Sequence, residues 1–130
     1  MQNFVNYANA ALITTSTTFG VAQPNTLPPP SLLVCNAAAQ ITVTLPNTSS
    51  QPPVLPPASP GYGQTIDGVG GGFFMSIINQ NGSGTVIVAA ASGDQIFTTA
   101  AAALATIAAS AGAKLTLESF PAQTTWYQIA

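Results

Sequence analysis

Several stretches of this chain alternate apolar and polar residues with a period of two. In "QITVTLP", Ile41, Val43 and Leu45 fall on one side and Thr42 and Thr44 on the other. In "AKLTLESF", Leu115 and Leu117 oppose Lys114, Thr116 and Glu118. Alternation of this kind fits an extended strand with one buried face and does not fit a helix, whose repeat is 3.6 residues. The closing "TTWYQIA" continues the pattern, with Trp126, Gln128 and Ala130 facing one way and Tyr127 and Ile129 the other. A single tryptophan so close to the last residue belongs on a strand held inside a sheet, since a fraying end could not keep it buried.

Between the strands stand turn formers. "GGFFMSIINQNGSGTVIVAA" reads as strand, turn, strand. Phe73, Met75 and Ile77 share one face, Phe74, Ser76 and Ile78 the other, and Gly82 and Gly84 are available for positive φ in the turn. With apolar residues on both sides, the first of these strands is expected to be buried on both faces. Val86 and Val88 lie on the returning strand. Ser31–Cys35 is expected to form a hairpin with 41–45 through the turn at Asn36–Ala39, and "ALITTSTTF" suggests one further strand near the start. "SGDQIF" is a tight turn leading into a short strand. "AAALATIAAS" is open between helix, which Ala favours, and strand, which Thr98, Thr99 and Thr106 favour; strand is the reading adopted.

Together these signals predict an all-β fold, an antiparallel β-sandwich or jelly-roll-like barrel. The organisation expected is an extended N-terminal arm over 1–30 and one β domain over 31–130, interrupted by a long Pro/Gly-rich loop at 46–72. Six of the eleven prolines sit in that loop. Long loops in compact domains are uncommon and often functional, and pre-extended proline segments lose little entropy on docking. Val54, Leu55 and Tyr62 in the loop, with Phe4, Val5 and Tyr7 in the arm, are the expected contacts with a shell or a neighbour. The expected core is Ile41, Val43, Leu45, Phe73, Met75, Ile77, Val86, Val88, Leu115, Leu117 and Trp126.

Composition narrows the function. Only 3% of the 130 residues are charged, with one Lys or Arg, three acids and no His. Nucleic-acid binding draws its affinity from bases on phosphates, so no nucleic-acid partner is expected. Without His, the usual catalytic triads and zinc ligand sets are not expected. Asp67 and Asp94 stand in turn contexts where Asp bonds the local backbone, and Glu118 lies on a polar strand face beside Lys114. An enzyme is therefore not expected, nor a metal or cofactor. Cys35, the sole cysteine, sits in apolar "SLLVCN" and reads as a small buried hydrophobe. The opening "MQNFVNYANA" has no positive segment ahead of an apolar run, and no stretch suits a bilayer span, so neither a secretory leader nor a membrane partner is expected. A net charge of −2 gives little self-repulsion, which favours self-association.

The order "ITVTLP", a Gly-rich loop, "FFMSIINQNGSGTVIV", "SGDQI", "AKLTLES" and "TTWYQIA" over 40–130 resembles a small β module recurrent in bacteriophage and other viral structural proteins. That module has a strand ending in "LP", an "I.N..GSGTVTV" segment, a "GD.I" turn and a terminal strand beginning near Trp. The resemblance implies a virion structural protein on the outer capsid surface. The role it implies is a capsid decoration or cement protein, a homotrimer that binds and stabilises the major capsid protein. The alternative is a receptor- or glycan-binding module of a head or tail fibre, with Tyr62, Trp126 and Tyr127 stacking on sugars.

Overall fold

The structure, a computed structural model, describes residues 10–19, 31–48 and 72–130. Phe4, Val5, Tyr7, Val54, Leu55, Tyr62 and Asp67 lie outside the described residues. The described residues form eleven strands: β1 (Ala10–Ile13), β2 (Thr17–Thr18), β3 (Leu32–Cys35), β4 (Ile41–Thr44), β5 (Phe74–Asn79), β6 (Val86–Ala89), β7 (Gln95–Phe97), β8 (Ala101–Ala102), β9 (Leu104–Ile107), β10 (Ala113–Phe120) and β11 (Thr125–Gln128). A 3₁₀ turn, Pro121–Gln123, separates the last two. The fold is all-β. The ambiguous alanine-rich segment supplies β8 and β9 as short strands.

The strands form two mixed sheets, one of seven in the order β1-β3-β5-β10-β11-β7-β8 and one of four in the order β2-β4-β6-β9. Five of the nine strand pairings are parallel, which corrects the antiparallel sandwich or jelly-roll expectation. The cause lies in the turns. Segments 14–16, 36–40 and 80–85 carry the chain from one sheet across to the other rather than back beside itself. β1, β3 and β5 therefore stack in parallel in the large sheet, while β2, β4 and β6 stack in parallel in the small one. Both expected hairpins, 31–45 and 73–90, are such arches. "ALITTSTTF" is likewise split into β1 and β2, in different sheets.

Parallel pairing needs a long return connection of about a dozen residues or more. The stretches between β2 and β3 and between β4 and β5 meet that need, and they contain the proline-rich segments. Within the segment 1–30, β1 and β2 add an edge strand to each sheet. β9 and β10 then close the stack in the opposite sense, β9 antiparallel to β6 and β10 antiparallel to β5.

The arches bond to one another. Asn36 N–H donates to the Ile13 carbonyl at 2.8 Å, and Gln80 N–H donates to the Cys35 carbonyl at 2.8 Å. Asn81 Nδ2 donates to Asn36 Oδ1 at 3.0 Å, Thr85 Oγ1 to Gln40 Oε1 at 2.9 Å, and Thr42 N–H to Ser16 Oγ at 3.0 Å. Asn79 is the buried hub of the third arch. Its Nδ2 donates to the carbonyls of Gly84 (2.8 Å) and Ala108 (2.9 Å), and its Oδ1 accepts from Gly82 N–H at 3.1 Å. Gly82 adopts φ +80°, as the turn requires. Gly84 serves a different purpose from the positive φ expected of it. A Cβ there would come within 2.5 Å of the Ala39 backbone carbonyl carbon, so it lets two arches touch.

The inner faces of both sheets meet in one core. Ile41, Val43, Leu45, Met75, Ile77, Val86, Val88, Leu115, Leu117 and Trp126 are buried in it, joined by Ile13, Leu33, Cys35, Ile96 and Ile107. Phe73 is half-buried and packs edge-on against Trp126, with ring centroids 6.4 Å apart. Trp126 is fully buried despite its place near the end of the chain. β10 and β7 hold its strand on both sides, and its Nε1 donates to the Pro46 carbonyl at 3.3 Å. Asp94 does not only serve its own turn: its Oδ2 accepts from Thr48 N–H at 2.8 Å, tying β4's exit to the turn before β7.

Candidate functional site

The outward-facing side of the seven-stranded sheet is the surface whose chemistry asks for a partner. Alternation turns one set of side chains into the core, and register then lines up the other set in rows across the sheet. One row runs Leu12, Val34, Ile78, Lys114. The next runs Ala10, Leu32, Ser76, Thr116. A third runs Phe74, Glu118, Tyr127, Phe97, Ala101.

Most of these residues are apolar, and several are well exposed: Leu12 64%, Phe74 51% and Phe97 40%. Phe120, 46% exposed, extends the aromatic end. Its ring meets Tyr127 edge-on at 5.4 Å, and Tyr127 lies 5.6 Å from Phe97 in a tilted contact. The Tyr127 hydroxyl bonds to Gln123 Oε1. Neighbouring exposed apolar side chains of this kind are a feature of surfaces that other molecules cover.

Polar groups on the face are few and concentrated on β5 and β10. The Ser76 and Thr116 hydroxyls bond to each other at 3.0 Å in the middle row. Lys114 is exposed and Glu118 half-buried, two residues to either side of Thr116 on the same strand. Among the described residues they are the only charged groups on this face.

Sequence reasoning assigned Phe74 and Ile78 to a second buried side. The structure leaves Phe74 exposed and Ile78 half-buried, because the large sheet has no described layer packed over that side. Leu12 and Val34 were not singled out, nor were Phe97 and Phe120. The signal available for them was the apolar residue at every alternate position of strands that already had a buried face. Trp126, proposed for stacking on a sugar, is fully buried, whereas Tyr127 takes part in the exposed aromatic cluster.

Burial pushes the Cys35 thiol up to about 11, so it is a protonated core residue at neutral pH. Among the described residues no group of three or more His, Cys, Asp or Glu stands close enough to hold a metal ion. No described helix is long and apolar enough to cross a membrane. No protein-family model matches the chain, and comparisons with curated proteins and with solved structures also give no match.

Proposed function

We propose that this chain is a non-enzymatic virion structural protein of the decoration or cement type, which works by assembling on the outside of a capsid shell. The exposed apolar face of the seven-stranded sheet carries the reading, since a face of this composition gains by being covered. The low charge agrees with it, because weakly charged surfaces can approach one another with little desolvation of ions. The shell contacts stay assigned to the segments carrying Phe4, Val5, Tyr7, Val54, Leu55 and Tyr62, with the major capsid protein as partner. Each bound copy would stabilise the shell by mass action on the bound over the free state.

The test is binding of the purified chain to shells stripped of accessory proteins, followed by thermal disruption of those shells. Saturable binding and a rise in disruption temperature are expected. Failure to bind shells, with the chain folded, contradicts the decoration role.

A second reading has one observation in its favour. The cluster of Phe97, Phe120 and Tyr127 sits at the surface beside the amides of Gln95 and Gln123, an arrangement that suits a glycan-binding fibre module. A glycan array giving binders that Tyr127→Ala abolishes would favour this reading over decoration.

A further inference from the structure

We infer that the apolar face of the seven-stranded sheet is covered by the same face of a second copy, in a twofold dimer registered by Lys114 and Glu118. The inference goes beyond the decoration role and stands whether or not a shell is the partner.

β10 is the central strand of the seven. On its outward side Lys114, Thr116 and Glu118 follow one another at alternate positions. The cation and the anion are thus placed symmetrically about Thr116, about 13 Å apart along an extended strand. They are too distant to pair within one chain. Each lies on an otherwise apolar surface where an unpaired charge would be costly to cover.

Two sheets that stack face to face with aligned strands can be related by a twofold in two ways. An axis parallel to the strands sets Lys114 over Lys114 of the second copy and Glu118 over Glu118, which repels. An axis across the strands, passing over Thr116, sets each Lys114 over the other copy's Glu118. Only the second arrangement answers both charges.

That same arrangement exchanges the first and third rows. On β5, next to β10, Phe74 then faces Ile78 of the second copy and Ile78 faces its Phe74, a large aromatic against an aliphatic on both sides of the axis. In the middle row the Ser76–Thr116 pair faces its own copy, flanked by Leu32 against Leu32. Leu32, Phe74, Ile78, Lys114 and Glu118 are therefore matched by the same set of residues on the second copy, in charge and in apolar content, which a partner of unrelated sequence would have to match separately. The ion pairs set register and orientation, and the apolar rows supply the attraction.

The experiment is a charge swap read by sedimentation equilibrium of the full chain over a concentration series, with thermal unfolding as the control for folding. The parent chain is expected at twice its 13.1 kDa mass. Lys114→Glu and Glu118→Lys, each alone, put like charges opposite each other and should weaken the dimer by roughly tenfold or more. The double variant Lys114→Glu/Glu118→Lys restores opposite charges and should recover the parent's dimer. A monomer at all concentrations, the threefold mass implied by the viral resemblance, or a dimer indifferent to the single swaps would each overturn the proposal.

Discussion

Outward positions on the four-stranded sheet hold Thr18, Thr42, Thr44 and Thr106, with Ile87, Ala89 and Leu104 among them. The equivalent positions on the seven-stranded sheet hold Leu12, Leu32, Val34, Phe74, Ile78, Phe97 and Tyr127, with Ala10, Ser76, Lys114, Thr116, Glu118 and Ala101 among them. Both sheets send alternate residues into the same core, so the inner demand is alike. Threonine is β-branched and favours strand while offering water a hydroxyl, so the small sheet shows that strands form with threonine at most outward positions and no outward aromatic residue. Strand formation alone thus does not explain the apolar choice on the large sheet; the proposed cover over that face accounts for it.

Removing what the sheets share should erase the contrast altogether. Trp126→Ala takes a fully buried ring from the core and leaves the Pro46 carbonyl without its donor. It should cost about 4 kcal/mol, and equilibrium urea unfolding will measure it. Asn79→Ala acts on the arch that joins the two sheets. Three backbone groups lose their partner, and a loss of about 3 kcal/mol is expected by the same measurement. A value below 1 kcal/mol would mean that the arch is not held as described.

Cys35 probes the inner side of the large sheet through pH. Its thiol is raised from 9.0 to about 11 when folded, so above pH 9 the unfolded chain releases a proton that the folded chain retains. Stability from this group is complete below pH 9 and falls as pH rises towards 11, by up to about 1.4 kcal/mol per pH unit. Cys35→Ala should flatten that slope in melts between pH 8 and 11.

The smallest effect on folding should be the most informative about the two outer faces. Phe74→Ser and Thr42→Val change one outward residue on each sheet and should each shift monomer stability by no more than about 1 kcal/mol. Phe74→Ser should also shift self-association towards monomer, while Thr42→Val leaves it unchanged. Equal effects on association would break the comparison.

How far the sequence revealed this fold depends on what a period of two can encode. It places Ile41, Val43, Leu115, Leu117 and Trp126 on the inward side, as the buried positions show. It does not encode which sheet a strand joins, because an arch and a hairpin leave the same alternation on either side of the turn. Parallel stacking was legible only indirectly, in the length of the proline-rich connections, which read as insertions rather than as returns. Asn79 was hidden for a similar reason: in "NQNG" it looks like a turn residue, yet it is a buried hub contacting Ala108, 29 residues away. On the outer face, Phe74 and Ile78 were recognised as apolar and assigned to a covered side. Among the described residues no layer packs over that side.

Hydroxyl-radical footprinting at low and high protein concentration reads the cover over the large sheet residue by residue. Leu32, Phe74 and Ile78 are expected to lose reactivity as concentration rises, while Leu104 and Ile87 on the small sheet keep theirs. Unchanged reactivity of Leu32, Phe74 and Ile78 across the series, or protection appearing on the small sheet instead, would contradict the proposed cover.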